Sequence, residues 1–113
     1  MKEIKAFVHQ HRAADVIEAI KATLAWMAHA GTPEQHHLSV TQVQGTLPPV
    51  DEAERHYSLE LGLEVVREFC IELHCDDGCV DEFVAAILST GRTGQHVAGW
   101  VYVSELTSRH PIR

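Results

Sequence analysis

From Tyr57 to Cys75 the apolar residues keep to odd positions: Tyr57, Leu59, Leu61, Leu63, Val65, Phe69, Ile71, Leu73 and Cys75, with only Arg67 interrupting. The even positions carry Ser58, Glu60, Glu64, Glu68, Glu72 and His74. A side-chain period of two marks a strand with one apolar and one polar face. Strands usually run about 5–6 residues. A run this long therefore predicts a break, at Gly62 or at Val65-Val66. The chain has to build a sheet with one covered face, and the remaining sequence has to supply the cover.

Two helical patterns do so. Asp15 opens a stripe of Ile17, Ile20, Leu24 and Met27, widened by Val16 and Ala19. Gly31 and Pro33 stop it, which predicts one helix from about Ala14 to about Ala30. Asp76 and Asp77 suit the N-terminus of a second helix by capping and dipole. Its stripe is Val80, Phe83, Val84, Ile87 and Leu88, and Gly91 ends it. Alternation in residues 3–8 puts Ile4, Ala6 and Val8 on one face of a first strand. Leu38, Val40 and Val43 with Thr41 make a second strand, stopped at Gly45. Two prolines and four charges make 46–55 an exposed loop, and Trp100–Val103 form the last strand. The predicted fold class is α+β, a ferredoxin-like βαββαβ order with two helices on one face of an antiparallel sheet.

Length and charge narrow the function. At 113 residues the chain is one domain, 1–113. Nine Lys and Arg against sixteen Asp and Glu give a net charge of −7, which argues against nucleic acid as the main partner. Nine histidines are the anomaly, and protonating them all would reverse the sign of the net charge. No apolar run approaches the roughly 20 residues of a membrane span. The opening Met1–Val8 has charges within its apolar stretch, unlike a signal peptide. Three cysteines, an odd number, read as reduced thiols of a cytoplasm.

No Ser or Cys stands beside a His and an acid at a family-specific spacing, and there is no GxGxxG or Walker sequence. The expectation is a protein that is not an enzyme. Cys75 and Cys79 span a strand-to-helix turn and could chelate zinc or copper(I), but Cys75 is in phase with Phe69, Ile71 and Leu73 and reads as core. Cys70, Glu72 and His74 share the even face and form a candidate zinc or copper group. His9, His11, His29, His36, His37, His56, His96 and His110 read as solvated side chains, and Asp51–Glu54 as a solvated loop surface.

Several motifs in order then resemble one family. Met1-Lys-Glu-Ile-Lys-Ala6 with Asp15-Val16, Leu38-Ser-Val-Thr-Gln-Val-Gln-Gly45, Phe69-Cys-Ile-Glu-Leu73, and Thr93-Gly-Gln-His-Val-Ala-Gly-Trp-Val-Tyr-Val103 are similar to the nitrogen regulatory protein PII family of trimeric signal transducers. The resemblance covers nearly the whole chain, apart from about ten extra residues before Leu38. It implies a homotrimer with a T-loop at about 46–64 and a B-loop at about 91–99. It also implies a small effector such as ATP, ADP or AMP in clefts between subunits. By position the cleft residues are Ser39, Gly45, Thr93, Gly94, Gly99 and Arg113. A protein partner, such as a membrane transporter, would dock on the T-loop. Around a threefold axis, copies of Cys70, Glu72 and His74 would converge. The departures are specific. The family's phosphate-binding lysine before the third strand counts out to Glu68, its B-loop lysines to Gln95 and Trp100, and one C-terminal arginine to Pro111. Fewer cations favour ADP or AMP over a triphosphate. The family's modified tyrosine counts out to Leu61. The alternative reading is a Cys/His sensor or buffer of copper or zinc linked to metal tolerance, since divalent-cation tolerance proteins share this fold.

Overall fold

The computed structural model describes residues 1–113. In chain order the elements are β1 Lys2–His9, α1 Ala13–Lys21, α2 Leu24–His29, β2 His37–Gly45, β3 His56–Ser58, β4 Leu63–Cys75, α3 Val80–Thr90 and β5 Trp100–Glu105. Short 3₁₀ turns lie at Glu52–Glu54 and Asp77–Cys79. The sheet runs β2-β4-β1-β5, every pair antiparallel, and β3 pairs the outer end of β4. This is the ferredoxin-like arrangement of an α+β fold.

One face of the sheet is sealed. Ile4, Ala6 and Val8 of β1 and Ile71, Leu73 and Cys75 of β4 meet Val16 and Ile20 of α1 and Phe83 and Ile87 of α3. Each full burial of a large aliphatic or aromatic side chain contributes about 1.5–3 kcal/mol, and the alternation of β1 and β4 aims these residues at one side. The opposite face carries Lys5 between Glu72 and Tyr102, and Phe7 between Cys70 and Trp100. Phe7 and Tyr102 pack edge to face at 5.9 Å, yet Trp100 and Tyr102 stay exposed.

The long alternating run breaks at Gly62, whose φ of +73° suits glycine. Beyond that break the odd residues change role. Leu59 and Leu61 stand out at the loop tip, Leu59 being 90% exposed, while Ile71, Leu73 and Cys75 are core. The even face is also less polar than its composition suggests, because Val66, Glu68 and Cys70 are buried.

The first predicted helix is in fact two. Thr23 is extended (φ −69°, ψ 152°), its Oγ1 donates to the Ile20 carbonyl at 2.7 Å and accepts the Trp26 N–H at 3.1 Å. The hydroxyl ends one helix and caps the next. The new direction turns Ala25 and Trp26 to the core and leaves Leu24 and Met27 76% and 53% exposed, against expectation. Leu88 also lies outside the core, one step past the stripe that Phe83 and Ile87 bury. Asp76 and Asp77 cap nothing with their side chains; Asp77 pairs with the Met1 amine at 2.8 Å, and α3 begins three residues later. Replacing Thr23 by alanine is expected to cost about 1 kcal/mol. A urea midpoint unchanged from the parent would show that the cap contributes nothing.

Two histidines read as solvated are buried. His36 lies 5.2 Å from the Phe83 ring and 5.1 Å from His29, with Nε2 3.2 Å from the Ala25 carbonyl. It sits between α2 and α3. His9 is the other; it ends β1 and holds the long loop described next.

Candidate functional site

Residues 46–62, an excursion that carries the Glu52–Glu54 turn and β3, and the loop 91–99 meet. Gln95 donates from Nε2 to the carbonyls of Pro48 and Pro49 at 3.0 and 3.1 Å. Thr93 orients that side chain, its Oγ1 donating to Gln95 Oε1 at 2.6 Å. Below them a groove of about 740 Å³ runs between α3, Phe7 and Val8 of β1, and β5. Gly94 and Gly99 line it, together with Gln95, His96 and the apolar Ile87 and Val101. Gly94 takes φ +88°. Gly99 lies against the neighbouring strand so closely that a Cβ would meet the Phe7 carbonyl oxygen at 2.2 Å.

Gly45 sits at the start of the other loop, beside a second cavity of about 240 Å³. A Cβ there would fall 2.1–2.3 Å from the carboxylate of Glu68. That carboxylate is buried and accepts the Leu47 N–H at 2.8 Å. Burial pushes its pKa up, and the Leu47 hydrogen bond only partly offsets this. An acid therefore occupies the base of the loop and takes the Leu47 main-chain donor.

The loop is fastened at a second point. His9 Nε2 lies 2.5 Å from Glu54 Oε2, and Gln10 Nε2 donates to the same oxygen at 3.4 Å. Glu54 also closes a capping box with Asp51, accepting its N–H at 2.8 Å. The Asp51 hydrogen bond first, then His9 and Gln10, hold the Glu54 carboxyl down at a pKa of about 2. The acidic run Asp51–Glu54 is thus not simply a solvated surface, since Glu54 ties it to the β1–α1 corner.

Of the sequence-derived cleft residues, the structure brings Thr93, Gly94 and Gly99 together in one loop, and Gln95 links that loop to the segment following Gly45. Ser39 is not part of this arrangement. It pairs with Glu72, six residues along β2 from Gly45, roughly 20 Å at strand rise. Arg113 lies in the exposed stretch after β5, which leaves the sheet at the end opposite Gly99.

On the exposed sheet face Glu72 and His74 do come together, but with Glu3 in place of Cys70. Their donor atoms lie within 4.8 Å of one another. Lys5 is already there, 3.3 Å from Glu3 and opposite Glu72 in register, so this acid pair has its own cation. Burial, then the Glu72 charge, pushes the Cys70 thiol up, which opposes a thiolate ligand. Burial likewise raises Cys75 to about 11, as suits a core cysteine. All three cysteines are free. Sequence reading missed Glu3, Glu54 and the Gln95 strap. Only the Asp51-x-x-Glu54 capping box was locally legible.

No helix is long and apolar enough to cross a membrane. No protein-family model matches the chain. Over all 113 residues the chain is 26% identical to the nitrogen regulatory protein P-II of Synechocystis sp. (strain ATCC 27184 / PCC 6803 / Kazusa), and it spans 92% of that protein.

Proposed function

We propose that this chain is a PII-like regulatory protein of the cytoplasm, without catalysis of its own. It assembles as a homotrimer and senses a small effector in the clefts between copies. The observation that carries this reading is likeness to a nitrogen regulatory P-II protein across the entire chain rather than at one motif. The fold and the two meeting loops are consistent with it. The sheet face bearing Phe7 leaves the Trp100 and Tyr102 rings exposed beside Lys5 and Glu72, a mixed aromatic and charged surface that suits burial against further copies.

The assigned cleft is Gly45, Thr93, Gly94 and Gly99 of one copy, with Arg113 reaching in from another. Ser39, roughly 20 Å along β2 from Gly45 in the same chain, would likewise enter from another copy. With Glu68 at the loop base and a net charge of −7, the cleft favours a ligand of low charge, AMP or ADP before ATP. Effector binding would shift the 46–64 loop between arrangements, and its exposed Leu59 and Leu61 would present that state to a protein partner such as a transporter.

Light scattering should give three times the 12.6 kDa chain mass. Calorimetric titration should give heat with AMP or ADP and weaker binding with ATP. A monomer at micromolar concentration removes the cleft, and silence with all three nucleotides removes the adenine ligand.

A further inference from the structure

We propose that His9, His11 and Glu54 form a binding site for a borderline divalent cation of the Zn²⁺ class, and that its occupancy fastens the long loop to the β1–α1 corner. The three donor atoms lie within 4.8 Å of one another. His9 is only 6% exposed, at the last position of β1, while His11 is exposed in the turn that follows. Their rings stand 5.0 Å apart, tilted by 44°. The carboxylate is oriented before any ion arrives, because Asp51 N–H binds one Glu54 oxygen and Gln10 the other.

The donor set selects the cation. Zinc takes imidazole nitrogen and carboxylate oxygen at about 2.0–2.2 Å, so tetrahedral donors sit roughly 3.3 Å apart. The 2.5 Å His9–Glu54 contact would open by less than about 1 Å, and the exposed His11 ring would close in. The absence of sulfur disfavours copper(I), and two imidazoles disfavour calcium and magnesium. Three protein ligands leave one position for water or another donor. The nearby cation does not compete. Arg12 is held by Asp15 at 3.1 Å and by the Thr90 carbonyl at 3.0 Å. That contrasts with Glu3, Glu72 and His74, where Lys5 is in place.

The proton balance is simple. Without the ion, His9 Nδ1 accepts the His11 N–H at 3.2 Å, so Nε2 carries the proton and donates it to Glu54. Capture of the cation uses the Nε2 lone pair. The proton moves to Nδ1, the His11 N–H bond is given up, and His9 releases no net proton. Losing that long hydrogen bond also frees the His11 main chain to bring its ring inward.

The test uses the full chain purified without a histidine tag. Zn²⁺ is titrated against a chromophoric chelator, and Co²⁺ binding is followed in the visible spectrum. The expected result is one Zn²⁺ per chain and a tetrahedral Co²⁺ spectrum. His11→Ala and Glu54→Gln should each weaken binding at least about tenfold, and His74→Ala should leave it unchanged. His11 is exposed and glutamine keeps the capping box, so both variants should unfold within a few degrees of the parent. No binding at micromolar Zn²⁺, undiminished affinity in His11→Ala, or loss in His74→Ala would each overturn the site. A chain that binds Zn²⁺ but no nucleotide would sink only the effector reading above.

Discussion

Gly99→Ala is expected to cost about 3 kcal/mol, the upper range for forcing an atom into a packed region. For a chain of this size that is a fall in midpoint of roughly 12–18 °C. The cause is the neighbour that has to yield. The added Cβ would lie 2.2 Å from the Phe7 carbonyl oxygen and 3.3 Å from its carbon, and both belong to the backbone of β1. A rotamer change cannot relieve that contact. Either β5 leaves β1 near the Phe7–Trp100 pair, or the 91–99 loop lifts away from the sheet. Each movement also deforms the groove and the Gln95 strap. Gly78 is the control, since a Cβ there meets nothing within 4 Å and needs no left-handed backbone. Gly78→Ala should stay within about 0.5 kcal/mol of the parent. Thermal unfolding at equal protein concentration compares the three chains. Equal midpoints for Gly99→Ala and Gly78→Ala would mean that the close approach is not a constraint.

The contrast between what was and was not legible in the sequence follows from range. Period two from Tyr57 to Cys75 is a local property; it located the strand and offered Gly62 or Val65-Val66 for its break, of which the fold uses Gly62. The helix stripe failed at Thr23 because Ile17, Ile20, Leu24 and Met27 keep helical spacing straight through the break. Spacing does not register a hydroxyl that prefers the Ile20 carbonyl to a place in the helix. Glu68 looked like one more polar residue on a polar face. Its burial depends on Gly45, which stands beside it only once β2 and β4 pair. His9 and Glu54 are 45 residues apart, and only the closed fold makes them neighbours. The order of motifs pointed to the loops that meet. Ser39 lies far down the sheet within one chain, so only a second copy could bring it to these loops.

Gly45 and Glu68 should behave as one unit, and a double-mutant cycle reads the coupling. In the parent, Gly45→Ala drives a Cβ into the carboxylate at 2.1–2.3 Å. Relieving that contact moves the carboxylate that accepts the Leu47 N–H. We expect a cost of about 2 kcal/mol. In a Glu68→Ala background the same change should cost under about 0.5 kcal/mol, a coupling above 1 kcal/mol for residues in contact. Additive costs would separate the two positions. Glu68→Gln adds a pH signature, because its amide oxygen can still accept the Leu47 N–H while the charge is gone. The folded-state pKa of Glu68 is raised above the ordinary 4.5 by burial. The folded state then binds the proton more tightly than the unfolded one, so this group's contribution is greatest in acid and falls as pH rises through the folded pKa. Glu68→Gln should therefore be more stable than the parent at pH 7–8, with the advantage closing as pH falls through the raised folded pKa and gone below the ordinary 4.5. A difference that grows in acid would mean that the carboxylate is better stabilised in the fold than in water. In that case Glu68 would no longer count as a buried anion held at a cost at the base of the loop.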